Sequence, residues 1–224
     1  MQNNPYAAPQ TRPVQDVQAV NKVLRNTYLL LGMTLAFSAV TCGIAMATNV
    51  GPMNIFVLLI GFYGLLFGIH KTQNSPMGLV LTFALTGFMG FTLGPIFNTL
   101  LAIPGGGQVI MLALGGTAVT FFTLSAYALI SKKDFSFLSG FLVVGFVVLV
   151  VGMIANYFLQ LPMLSLAMSA GFILFSSAAI LMQTGAIING GERNYVLATV
   201  TLYVSIYNIF MSLLHILMAF SGDD

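Results

Sequence analysis

Charge is what this sequence has least of. Of its 224 residues only 5% are Asp, Glu, Lys or Arg, 58% are hydrophobic, and the mean hydropathy is +0.97. A soluble domain carries about 25% charged residues. A globule of this size with so few charges could not cover its surface against water, so a water-soluble fold is excluded and an integral membrane protein is left. The net charge of +2 is too small for a nucleic-acid partner, which is held through clustered Lys and Arg. Cysteine is nearly absent as well. The single Cys42 excludes an intrachain disulfide and a cysteine-based metal cluster. Inside its apolar run it reads as a small packing residue.

Long apolar runs are what the sequence has in place of charge. A span needs about 20 mostly apolar residues at 1.5 Å each. Seven runs meet that length, at roughly 27–48, 53–69, 78–101, 108–130, 136–158, 163–188 and 196–220. Breakers stand between them: Gly51-Pro52, Ser75-Pro76, Pro104 to Gly107, Leu161-Pro162 and Asn189 to Gly191. The fold class expected is an all-α polytopic membrane protein of seven transmembrane helices. Its divisions are a disordered tail over 1–26, the helical domain over 27–220, and a short C-terminal piece over 221–224.

The basic residues orient it. Arg12, Lys22 and Arg25 precede the first span, Lys71 follows the second, Lys132 and Lys133 the fourth, and Arg193 the sixth, which accounts for all 7 Lys and Arg. All fall on one side of a seven-span arrangement. Six or eight spans would break that alternation. The positive-inside rule places that side, and the N-terminus, in the cytoplasm, and puts SGDD at the C-terminus outside it. The triplet AMA at 45–47 resembles a signal-peptidase site. The polar segment before span 1 is long for a signal peptide and six more spans follow, so the first span reads as retained.

The opening stretch MQNNPYAAPQTRPVQDVQAV is rich in Gln, Asn and Pro and poor in large apolar residues. It reads as a disordered cytoplasmic tail. It is either a frayed terminus or a handle for a cytoplasmic partner through Gln2, Asn3, Asn4, Tyr6, Gln10 and Arg12. GFYGLLFG at 61–68 and GFMGFTLG at 87–94 each contain Gly-x-x-x-Gly (Gly64 with Gly68, Gly90 with Gly94). Small residues at that spacing let helix backbones approach in lipid, and the expectation is close packing of spans 2 and 3. Pro95 is expected to kink or break span 3.

The last span carries a polar stripe. Thr201, Ser205, Asn208, Ser212 and His215 follow one another at steps of 4, 3, 4 and 3, which keeps them on one helical face. The stripe covers about 21 Å of axis. Lipid satisfies neither an amide nor an imidazole, so this face must meet protein or water, and the last helix is expected inside the bundle. Interhelical hydrogen bonding and a path for ions are the two uses open to it. Asp134 and Glu192 lie in connections beside basic residues, and no carboxylate lies within a span. A transporter driven by protons or sodium keeps an ionisable group at mid-membrane. A catalytic serine needs a positioned His or Lys. His70 and His215 fall at opposite membrane faces and cannot share a metal. The expectation is therefore no enzyme, no catalytic residue, no metal and no cofactor.

Five segments carry a resemblance: KVLRNTYLLLGMTLAFSA, LGPIFNT, ALGGTA leading to SAYALISKKDFSFLSG, GMIANYFLQLP, and GGERNYVLATVTLYVSIYNIF. On these, from roughly Lys22 to Phe220, the chain resembles the Bax inhibitor family, in particular its bacterial YccA-like branch. The resemblance implies a seven-helix fold with the last helix central, in a bacterial inner membrane with the C-terminus periplasmic. Many members carry an acidic pair proposed to sense pH and gate a calcium leak. The matching positions here are Gln183 in MQT and Ser205 in LYVS. Neither ionises, whereas two carboxylates sharing a proton would titrate as a unit. Calcium also favours several oxygen ligands, carboxylates among them. The resemblance to the YccA-like branch implies instead a modulator that binds and restrains FtsH, an ATP-dependent membrane protease, engaged through the tail. A cation or calcium leak along the stripe is the alternative.

Overall fold

The computed structural model describes residues 14–221, and they form seven helices: α1 (Val14–Ala47), α2 (Ile55–Thr72), α3 (Pro76–Leu101), α4 (Gly106–Ser131), α5 (Leu138–Leu159), α6 (Pro162–Ile188) and α7 (Tyr195–Ser221). All seven are long and apolar enough to cross a membrane. The shortest has 18 residues, about 27 Å of rise against a hydrocarbon core of about 30 Å. Local chemistry sets the ends. Pro76 and Pro162 open α3 and α6, where a missing N–H costs nothing. Asn54 caps α2, its Oδ1 accepting the Phe56 N–H at 2.9 Å. Asn194 caps α7, its Oδ1 accepting from the N–H of Val196 at 2.9 Å. Its amide donates to Asn74 Oδ1 at 2.9 Å, which ties the start of α7 to the α2–α3 turn.

Helix α7 occupies the middle. It packs on α1, α3, α4 and α6, and more of it is buried than of any other helix. Helix α1 lies along α3, α2 covers α3 from outside, and α5 rests on α6. The two outer helices bury little: Ile69 is the buried position of α2 and Leu149 that of α5. Helices this apolar all round face lipid rather than water. The core around α7 gathers Leu30, Leu85, Phe121, Ile180, Leu202 and Ile209.

Three expectations are corrected. Helix α1 begins at Val14, not near residue 27, so residues 14–26 are helical rather than part of a disordered tail. No Gly or Pro follows Pro13 before the first span, and Val17, Val20 and Leu24 recur at helical spacing, so nothing stops the hydrogen-bond ladder where the apolar window ends. The tail positions Gln2, Asn3, Asn4, Tyr6, Gln10 and Arg12 lie outside the described residues. The second concerns the glycines. Helices α2 and α3 do pack, and a Cβ on Gly61 would meet the Phe88 ring at 2.7 Å. The Gly90/Gly94 pair, however, faces α1: a Cβ on Gly90 would run into the Ser38 carbonyl, and one on Gly94 into Ala45, while Gly64 faces open space. The motif on α3 thus lets α1 approach. Third, Pro95 does not break α3, which continues to Leu101. Proline forfeits one ladder bond, to the carbonyl of Phe91, and the turns on either side carry the helix through.

Candidate functional site

The stripe on α7 goes inward over most of its length. Ser205 and Ser212 are buried, Thr201 and Asn208 half-buried, and His215, near the end of the helix, exposed. Its contacts are structural. Ser205 Oγ donates to the Thr201 carbonyl at 2.8 Å within its own helix. His215 meets α6, with Nδ1 at 2.8 Å from Ser169 Oγ and Nε2 at 3.4 Å from Ser165 Oγ. Gln183 is buried on α6 with its Nε2 lacking a partner. Gln183 and Ser205 therefore carry a donor amide without a bond and a hydroxyl already spent on its own backbone.

The polar contacts that join helices come from residues the stripe passes over. Tyr203 is fully buried. Its hydroxyl donates to the Thr86 carbonyl on α3 at 3.1 Å and lies 2.7 Å from Ser38 Oγ on α1. One phenol O–H cannot donate twice, so Ser38 donates to it. One turn on, the Tyr207 hydroxyl lies 3.1 Å from Thr92 Oγ1 of α3, and Thr92 Oγ1 donates to the Met89 carbonyl at 2.6 Å. Nearer the start of α7, Thr199 Oγ1 donates to the Tyr195 carbonyl of its own helix at 2.7 Å, with the Thr27 carbonyl of α1 at 3.2 Å. These bonds clamp α1, α3 and α7 together. The signal for them was in the sequence: two tyrosines one turn apart in an apolar span must each find a partner for a hydroxyl.

Two cavities flank this centre. One, of about 490 Å³, is mostly apolar and lies between α1, α3, α4 and α7, with Cys42, Phe121, Tyr203 and Tyr207 in its lining. The other, of about 620 Å³, lies at the basic end of the bundle and is lined in part by Lys22, Lys132, Glu192 and Arg193. Toward that end several buried hydroxyls have no partner, among them Thr27, Ser131 and Thr184. Among the described residues no three His, Cys, Asp or Glu side chains converge as a metal-binding set.

A family model described as inhibitor of apoptosis-promoting Bax1 matches residues 20–222. The chain belongs to the Bax inhibitor family. Its relatives are bacterial. It is 56% identical over 205 residues, 92% of its own length and 93% of the other's, to a protein of Escherichia coli K12 named modulator of FtsH protease YccA. A second Escherichia coli strain has a relative at the same identity, named inner membrane protein YccA. An uncharacterised protein of Pseudomonas aeruginosa is 56% identical over 94% of this chain and 95% of its own. Membership in the family and the seven apolar helices agree with the resemblance read from the segments above.

Proposed function

We propose that this chain is a non-enzymatic inner-membrane protein that binds an FtsH-type membrane protease and restrains it. The observation that carries the reading is 56% identity, over 92% of the chain, to the Escherichia coli protein named for modulating FtsH. Identity that high over nearly the whole chain supports a shared partner better than a shared fold alone. The chemistry of the centre fits. Gln183 and Ser205, at the positions of the acidic pair, hold one charge state, and the serine hydroxyl bonds to its own helix. The polar stripe is engaged in packing at Ser205 and His215. This favours a scaffold over a titrating leak. In the proposed orientation the basic end and the N-terminus face the cytoplasm, where the segment around Gln2 to Arg12 is within reach of a protease that pulls on chain ends.

The test is co-purification of the detergent-solubilised protein with FtsH, using the full chain and a form lacking residues 1–20. The full chain is expected to retain the protease, and the shortened one to retain much less. Association of neither form would end the proposal. Equal association of both would leave the partner and remove the tail as its handle.

A further inference from the structure

The cavity at the basic end is built by three segments far apart in sequence, and each brings one cation to its wall. Lys22 comes from α1, Lys132 from the residue that ends α4, and Arg193 from the α6–α7 connection. All three are exposed. Among the described residues Glu192 is the one carboxylate of the lining, and its Oε1 already accepts the Asn194 N–H at 2.7 Å. Three cations against one anion make the described part of the wall positive. Asn21 and Asn26 add amide donors. The rest of the lining is largely apolar, with Val20, Val23 and Ile188 beside Tyr195. Lys132 stands where a helix-ending glycine would be less strained: its φ is 50°, in the left-handed region. That position carries a lysine at some conformational cost, and the lysine puts a charge on the cavity wall.

The depth of the cavity identifies what meets it. Helix α1 has 34 residues, about 51 Å, so it overshoots a core of about 30 Å. Lys22 lies on the overshoot, about 8 Å of rise before Thr27, the first buried position of α1. It shares its level with the end of α4. This is where helices leave hydrocarbon and enter the layer of lipid phosphates. We propose that the cavity binds the headgroup of an anionic phospholipid, its phosphate held by Lys22, Lys132 and Arg193. A guanidinium grips phosphate with two parallel donors and an ammonium adds a point charge. Basic pockets between membrane helices take anionic headgroups for this reason. A free phosphate would use only the cations. A phospholipid also uses the valines and Ile188, which is why the lipid is the ligand assigned.

The experiment uses the full chain, purified and titrated with phosphatidylglycerol, phosphatidylethanolamine or inorganic phosphate, with bound molecules counted by native mass spectrometry. Phosphatidylglycerol is expected to be retained in preference to the other two. Replacing Lys22, Lys132 and Arg193 together by Gln should lower its retention about a hundred-fold, since each basic residue near a membrane surface contributes close to a factor of five. Replacing Lys71 and Lys133 by Gln, outside the cavity, should leave retention unchanged. Lys132→Gly guards against misfolding: it should melt no lower than the natural chain while retaining less lipid. Equal retention of phosphatidylglycerol by the natural chain and the triple variant would overturn the site. So would equal retention of the two phospholipids. Inorganic phosphate that binds as well and displaces the lipid would make it a free-phosphate site and overturn the lipid assignment.

Discussion

Tyr203 shows how a single hydroxyl organises this bundle. It is buried and reaches Ser38 on α1 and the Thr86 carbonyl on α3. Tyr203→Phe should therefore cost about 0.6–1.7 kcal/mol, the range for cross-helix bonds in a membrane, because two partners lose their bond while the ring still fills its site. Thermal unfolding in detergent checks this, and an unchanged midpoint would show that the bond adds nothing. Reading polar residues by helical period picked out a stripe on α7 but passed over the two tyrosines that bond to other helices. Ser205 bonds to its own backbone, as short hydroxyl side chains do in helices. The tyrosines, counted with the apolar residues, do the joining. Spacing tells which way a residue points; it does not tell which acceptor lies opposite on a helix distant in sequence.

At the scale of elements, the α1–α3 contact depends on a missing side chain. A Cβ on Gly90 would collide with the Ser38 carbonyl and the Ser38 and Thr41 hydroxyls, whereas Gly64 faces open space. Gly90→Ala should destabilise by about 1–3 kcal/mol, as overpacking does, and Gly64→Ala should be neutral or slightly stabilising, since alanine suits a helix better. Unfolding midpoints of the pair test the assignment of the motif to α1; equal effects would contradict it. The helices themselves were legible as apolar runs, and their limits in the structure lie within a few residues of those runs. The start of α1 was not legible that way, because an apolar window reports where lipid ends, and helical hydrogen bonding continues until something breaks it. Partners of the two glycine motifs were equally out of reach, since both octets have the same pattern and only the packing separates them.

For the whole molecule, the absence of a carboxylate from Gln183 and Ser205, the positions proposed to match the family's acidic pair, has the widest consequence. With Gln at 183 and Ser at 205, neither of these two positions carries a carboxylate that could titrate. Proteoliposomes loaded with a calcium dye should show no pH-dependent flux for the natural chain. Flux that appears only when Gln183→Asp and Ser205→Asp are combined would agree with this account, and strong flux from the natural chain would favour a leak. Family membership was readable from segments spread along the chain, which fall at helix ends and along α7. The charge pattern gave the orientation proposed for the bundle. The cavity at the basic end was not readable, since its cations come from three segments that only the fold brings together.

The most direct measurement of the central claim is the rate at which FtsH degrades a membrane substrate in reconstituted vesicles, with and without this protein at equal stoichiometry. The account predicts slower degradation when the protein is present and recovery of the rate when residues 1–20 are removed. A rate that does not change with the full-length protein would contradict it.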